Sequence, residues 1–434
     1  MRAPAVSALL ITAALCVGTA EAENIVEIYE FAKLNDADYR AAEAALRASL
    51  EADPQARAAL RPQIGLSADL SYVNTDDDVP GIKNDFTQGG LALSLSQSLY
   101  RRDLRVQLEQ VGASVAQAKA EFEAADEALI LRVSEAYFDV LAALDNLDFA
   151  EAEKEAIAQQ LEQAQRRFEV GLIAITDVKE AQAQFDLSVA AEIQAENLLA
   201  TTRQALVVIT GTPFEELQRV ADDAPLNPPD PDDIEQWVSI AQEQNLSLIA
   251  ARFAAEVARQ GIEINRSDNY PTLDLVAQYA YLDKDGGFNE GDSNTASIGV
   301  QLNYPLYTSG ARGSRIEQAR AEFETTQEFL EKQRRTTVQQ ARDAYLTVIA
   351  AISSVRALKQ ALESSQAANE ATQAGFEVGT RTAVDVLITL RSTYEAQRDY
   401  ARARYDYILN MLSLYQAAGI LAEEHLEAIA RWLR

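Results

Sequence analysis

The sequence predicts an α+β membrane protein in which β-strands of membrane length alternate with α-helices too long for a globular domain. Three observations predict it. Four segments alternate apolar and polar residues with a period of two. Two stretches, between Gly112 and Gly171 and between Gly313 and Gly375, run for 58 and 61 residues without glycine or proline. Finally, an eleven-residue pattern occurs twice, as FEVGLIAITDV at 168–178 and as FEVGTRTAVDV at 376–386.

The chain begins with an early arginine, an apolar run from Val6 to Val17 and the small-x-small triplet Ala20-Glu21-Ala22, the form of a secretory signal peptide over residues 1–22. The run is too short for a comfortable membrane anchor. Cys16, the one cysteine, lacks the preceding small residue usually needed for lipidation, so the exported chain must fold without disulfides. The net charge of −29 is scattered rather than gathered in a tail, which argues against a nucleic-acid partner. No metal-ligand set, phosphate loop or nucleophile–base pair accompanies the single histidine, His425, so neither an enzyme nor a cofactor is expected. With no apolar run of about eighteen residues after the signal, membrane insertion requires a β-barrel.

Ile64, Leu66, Ala68, Leu70 and Tyr72 alternate with polar or small residues in a strand expected at about 63–73, and Leu91, Leu93, Leu95 and Leu99 do so at about 89–99. The second half repeats this with Leu273, Leu275, Ala277, Tyr279 and Tyr281 at about 272–282, and with Ile298, Val300, Leu302, Tyr304 and Leu306 at about 296–306. Each strand has one apolar and one polar face, and tyrosines lie near the strand ends, as at a bilayer interface. Two soluble hairpins are the plainer reading. As membrane strands, four cannot close a barrel, so several chains must share one. Two chains give eight strands and a filled interior, whereas three give twelve and leave a passage.

The glycine-free stretches are rich in good helix formers, and Val133, Tyr137, Val140, Leu144 and Leu147, then Ile157, Leu161, Ala164 and Phe168, recur at the steps of a coiled-coil seam. These patterns divide the chain into a first repeat over 23–210, with a helical hairpin at about 103–210 turning near 171, and a second over 232–418, with a hairpin at about 312–418 turning near 379. Residues 211–231 link them, and 419–434 form a C-terminal segment. A periplasmic adaptor, or a secreted coiled-coil scaffold that transports nothing, would also use long helices. Neither needs two hairpins with membrane-length strands.

SEAYFDVLAALDNLDFAEAEKEAI, RRFEVGLIAITDVKEAQAQFD, LVVITG, YPTLDL, NYPLYTSG and EVGTRTAVDVLITLRSTYEAQRDYARARYDYILNMLSLYQAAG, in this order and spacing, resemble the TolC-type outer-membrane efflux and secretion proteins over nearly the whole chain after the signal peptide. The resemblance implies a homotrimer with a twelve-stranded barrel in outer-membrane lipid, continued by a long helical tunnel across the periplasm. It implies a passive exit duct that docks to a periplasmic adaptor and an inner-membrane transporter of the RND, ABC or MFS type, in efflux or type I secretion. Residues 211–231 and 419–434 would lie at the tunnel's equator. The duplicated pattern falls at the periplasmic tips, where Gly171 and Gly379 let the chain reverse without side-chain crowding and Leu172 and Thr380 stand beside them for docking. Thr176 and Asp177 match the first-hairpin tip residues, Arg381 the arginine linking neighbouring helices, and Asp385 an acidic ring at the narrowest point. Helix N-capping is the alternative reading of Asp177 and Asp385. Phe376 stands where a tyrosine hydroxyl can join the tip network, and Ile388 where a second acidic residue can sit.

Overall fold

In a computed structural model of the chain the described residues are 22–76, 83–221, 224–286 and 290–434. The expected signal peptide, with Cys16, lies outside them except for Ala22, as do parts of both strand-joining loops and of the 211–231 linker. Helices α1 (Ile25–Asn35), α2 (Ala37–Leu50) and α3 (Ala52–Ala58) lead into strands β1 (Gln63–Asp76) and β2 (Lys83–Tyr100). Helices α4 (Arg102–Glu169) and α5 (Ile175–Thr210) form a long hairpin. Helices α6 (Ile234–Gln244) and α7 (Leu246–Ser267) then precede β3 (Thr272–Asp285) and β4 (Gly291–Asn303). A second long hairpin of α8 (Ala311–Glu377) and α9 (Ala383–Ala418) is followed by α10 (Glu423–Ala430). At a rise of 1.5 Å per residue, the 68 residues of α4 extend about 100 Å.

The strands form one antiparallel sheet in the order β1-β2-β3-β4. Leu66 opposes Leu93, Leu93 opposes Tyr279, and Leu275 opposes Val300, so the apolar positions of all four strands share one face. Ser67, Ser94, Asp274 and Gln301 lie on the other, as the two-residue period requires. The apolar face has no cover within the chain: Leu66 is 75% exposed and Ile298 78%. β1 and β4 end the sheet with one side each unpaired by the other strands.

Two details depart from simple alternation. The β2–β3 register shifts between Ser98 and Tyr100, so Leu99 is an extra residue in a bulge and does not continue the row of Leu91, Leu93 and Leu95. β4 ends at Asn303 rather than near 306, because Pro305 has no N–H to give a ladder. Just beyond the bulge, Arg101 turns to Asp103 at 2.9 Å and to Asp274 of β3 at 3.6 Å, tying the sheet to the start of α4.

Both halves meet in a buried core about midway along α4 and towards the C-terminal end of α9. Asn24 and Glu27 form a capping box that starts α1 and aims Ile25, Ile28 and Tyr29 at Tyr137, Phe138 and Leu141 of α4. Phe138 stacks on Tyr405 of α9 with ring centroids 5.7 Å apart, and the Tyr405 hydroxyl donates to Asp145 at 2.6 Å. The linker is held by Tyr137, whose hydroxyl donates to the Gln218 carbonyl at 2.6 Å, and by Trp237, whose indole N–H donates to Pro231 at 2.7 Å. Leu426 and Ile429 of α10 complete this core. Gly211 and Gly419 close α5 and α9 in left-handed conformation.

Glu127 of α4 is buried beside this core and accepts a hydrogen bond from the Leu421 N–H at 3.2 Å. Burial pushes its carboxyl up to about 8, against that hydrogen bond, with Asp126 and Glu123 adding to the rise. A carboxyl whose folded pKa is raised contributes full stability below the ordinary carboxyl range and loses it as pH rises through about 8. Thermal midpoints of detergent-solubilised protein should therefore fall between pH 5 and 8.5, and Glu127→Gln should flatten that fall. For the sheet, Leu93→Arg should destabilise by about 2–4 kcal/mol and Ser94→Arg by much less, since only the first places a charge in lipid. Equal urea midpoints for the two variants in bilayers would abolish the facing, and a lower midpoint for Ser94→Arg would reverse it.

Candidate functional site

The features of interest lie where each long hairpin turns. After α4, the Gly171 N–H donates to the Phe168 carbonyl at 2.8 Å and the Leu172 N–H to the Arg167 carbonyl at 2.9 Å. After α8, the Gly379 N–H donates to Phe376 at 3.1 Å and the Thr380 N–H to Gly375 at 2.8 Å. These nested bonds satisfy the last carbonyls of each helix and require a left-handed residue at the turn. Gly171 has φ +77° and Gly379 φ +80°. Crowding is not the reason for glycine, contrary to expectation: a Cβ at either position meets no atom within 4 Å. The constraint is backbone conformation, which a β-branched residue meets only with strain.

The two copies restart their helices differently. Thr382 caps α9: its hydroxyl accepts from the Asp385 N–H at 3.2 Å, while the Asp385 carboxylate accepts from the Thr382 N–H at 2.9 Å. This reciprocal box is the capping reading of Asp385. The Thr382 N–H first, then the Thr382 hydroxyl and the nearby Arg381 charge, hold that carboxyl below its usual range, so it stays anionic. In the first copy Ala174 occupies the capping position, and its methyl group makes no capping hydrogen bond. There the Asp177 N–H donates to the Ala174 carbonyl at 3.2 Å, and the Thr176 hydroxyl lies 3.5 Å from the Asp177 carboxylate.

Thr176, Leu172, Gly171, Gly379, Thr380 and Arg381 are exposed, and Asp177 and Asp385 are partly so. Among the described residues of this chain, no hydrogen bond joins Arg381 to Thr176 or Asp177. Its side chain instead lies against Gly375, where a Cβ would come 2.8 Å from the Arg381 Cγ. Phe168 does not close a buried seam layer, being 41% exposed. That role falls to Ile173, which packs with Val178 on Ile157, Leu161, Ala164, Ala181 and Leu387. Phe376 is half-buried beneath Arg167, whose guanidinium carbon lies 4.2 Å from the ring centroid. Sequence reasoning missed Arg167, although it stands opposite Gly375 when the two copies are aligned. Ile388 is exposed on a groove between α5 and α9 that Glu180, Leu387 and Arg391 also line.

The tips also present apolar residues to solvent, with Val170 69%, Leu172 74% and Val378 76% exposed. Among the described residues, no cluster of histidine, cysteine or carboxylate side chains could hold a metal ion, and no helix is long and apolar enough to cross a membrane. The exposed apolar residues of the tips can pack against a partner, and the ionised Asp385 carboxylate can attract cations.

The sequence pattern of the family described as "Outer membrane efflux protein" matches residues 28–212 and again 237–420. Outer membrane protein TolC of Vibrio cholerae is 42% identical, over 93% of this chain and 92% of that protein. Outer membrane protein TolC of Escherichia coli K12 is 36% identical, over 94% and 85%. The crystal structure of the Campylobacter jejuni CmeC outer membrane channel superposes with a TM-score of 0.78 at 16% identity, covering 95% of this chain and 90% of that one.

The turn geometry makes a graded prediction. Gly379→Val should raise amide exchange and proteolytic cleavage at the second tip, whereas Gly379→Asn should change them little, because asparagine tolerates left-handed backbone. Equal protection in both variants would mean that φ at 379 is not the constraint.

Proposed function

The chain belongs to the outer membrane efflux protein family, and from that premise we propose that its hairpin tips are the gate and the docking end of a passive conduit. The protein is an outer-membrane exit duct for efflux or secretion systems, not an enzyme, and it spans into the periplasm. Its fold is that of the TolC-type channels, a trimeric β-barrel continued by an α-helical coiled coil. The observation that carries the proposal is the pair of matching left-handed turns at the far end of the long helices, each flanked by exposed apolar residues.

A periplasmic adaptor docks on Gly171, Leu172, Gly379 and Thr380, with an inner-membrane transporter of the RND, ABC or MFS type supplying cargo. Exposed Leu172, Val170 and Val378 supply the apolar contact that such docking needs. Residues 211–231 and 419–434 form the equatorial belt, and their packing on α4 and α9 supports this. At the gate, Arg381 donates charge-assisted hydrogen bonds to Thr176 or Asp177 of the neighbouring chain, while Phe376 seats the tip. Asp385 from three chains forms the anionic ring. In support, Arg381 is exposed and bonded to neither residue within its own chain, and Asp385 stays ionised while capping α9. Ile388 leaves the ring without a second carboxylate one turn further on.

Reconstituted in planar bilayers, Arg381→Ser should raise conductance, because one link between neighbouring tips is lost. Asp385→Asn should weaken block by multivalent cations, which like-charged carboxylates in a narrow pore attract. Unchanged conductance in the first variant removes the lock, and unchanged block in the second moves the ring elsewhere, with Asp177 the next residue to test.

A further inference from the structure

The duplicated tips differ by an exchange of arginines. Arg167 stands where the second copy has Gly375, and Arg381 where the first has Ile173, each pair 208 positions apart. The exchange has a packing consequence. Ile173 turns inward onto the first hairpin's own apolar cluster. In the second copy the bare Gly375 leaves the space that the Arg381 stem fills. Arg167, on the last turn of α4, reaches out of the first hairpin altogether and lays its guanidinium over the Phe376 ring of the second.

The rest of the seam between the two hairpins gives this contact its leverage. Arg402 donates to Asp139 at 2.7 Å, Tyr405 to Asp145 at 2.6 Å and Arg398 to Glu153 at 2.9 Å, linking α9 to α4 over its upper part. Among the described residues, Arg398–Glu153 is the ion pair between these helices nearest the tip. From Glu153 to the end of α4 is sixteen residues, about 24 Å of helix at 1.5 Å per residue. Over that length the hairpins meet through Leu387 and Leu390 on the first hairpin's cluster, and then through Arg167 and Phe376. The apolar contacts are non-directional, whereas a cation over a ring face adds a modest attraction that depends on where the two side chains stand.

We propose that Arg167 and Phe376 form an intrachain latch that sets the second hairpin's tip against the first. The segment below Arg398–Glu153 moves when the latch opens. Arg167 is thus a positioning residue for the gate, separate from any link that Arg381 makes to a neighbouring chain. A cation over an aromatic face needs no ring hydroxyl, so phenylalanine suffices at 376. The latch rests on the tips being the gate, and the experiment keeps the two ideas apart.

Single-channel conductance of the full-length protein in planar bilayers is measured beside trimer stability in detergent. Arg167→Gln and Phe376→Leu should each raise mean conductance severalfold with trimer stability unchanged. Phe376→Tyr and Phe376→Trp should keep the closed conductance, because the aromatic face is retained, and Arg167→Lys should keep part of it. The double variant Arg167→Gln/Phe376→Leu should open no further than either single variant, as partners in one contact do. Equal conductance for Phe376→Leu and Phe376→Tyr, or additive opening in the double variant, would overturn the latch. If Arg381→Ser opens the channel and Arg167→Gln does not, the latch is wrong while the gate stands. If neither opens it, the gate has been misplaced and the latch falls with it.

Discussion

The unpaired outer sides of β1 and β4 constrain everything else in the structure. In lipid a strand edge has no water to satisfy its N–H and C=O groups, so a four-stranded sheet is not a possible end state for one chain. Three such sheets joined edge to edge give a barrel with no edges and room for a passage. That closure stands the long helices around one axis, since Arg101 ties the end of β2 to both α4 and β3. The hairpin tips then become a ring about 100 Å from the membrane. Their chemistry matters because the barrel leaves them nowhere else to be.

Length and control trade against each other along the helices. A seam built from small and apolar residues holds two helices together over many turns through non-directional contacts. The protein places its polar and aromatic ties unevenly on that seam. Near the middle, Tyr405–Asp145 and the stacked Phe138 and Tyr405 rings are buried and bind the two halves firmly. Towards the tips the side chains become more exposed, and among the described residues no ion pair joins α4 to α9 beyond Arg398–Glu153. An uneven distribution of this kind lets one end of a helix pair move while the other remains anchored.

Duplication explains why so little chemistry is needed at the tips. Both copies use the same left-handed glycine and the same nested hydrogen bonds, so all the turns of an assembled ring have one backbone shape. The side chains differ at six aligned positions from 167 to 178, and three of those differences change the local chemistry most: Thr382 against Ala174, Arg381 against Ile173, and Arg167 against Gly375. The first gives α9 a complete capping box that α5 lacks. The other two direct one arginine away from each hairpin's interior.

Local periodicity and turn chemistry made the regular parts of the fold legible before any tertiary contact was known. Alternating Leu66, Leu93, Leu275 and Val300 gave one apolar face, the long glycine-free runs gave the helices, and Gly171 and Gly379 marked the reversals. Their physical causes act over a few residues, so they can be read without knowing the fold. The bulge that removes Leu99 from its row depends on what β3 offers opposite it, and the buried carboxyl of Glu127 takes its hydrogen bond from Leu421, nearly three hundred residues away. The meeting of Arg167 with Phe376 is of the same kind. Each side chain reads as an ordinary helix-end residue, and only the packing of two hairpins brings the cation over the ring. Tertiary structure decided these because contacts between distant segments depend on how whole helices and strands pack, which no local pattern encodes.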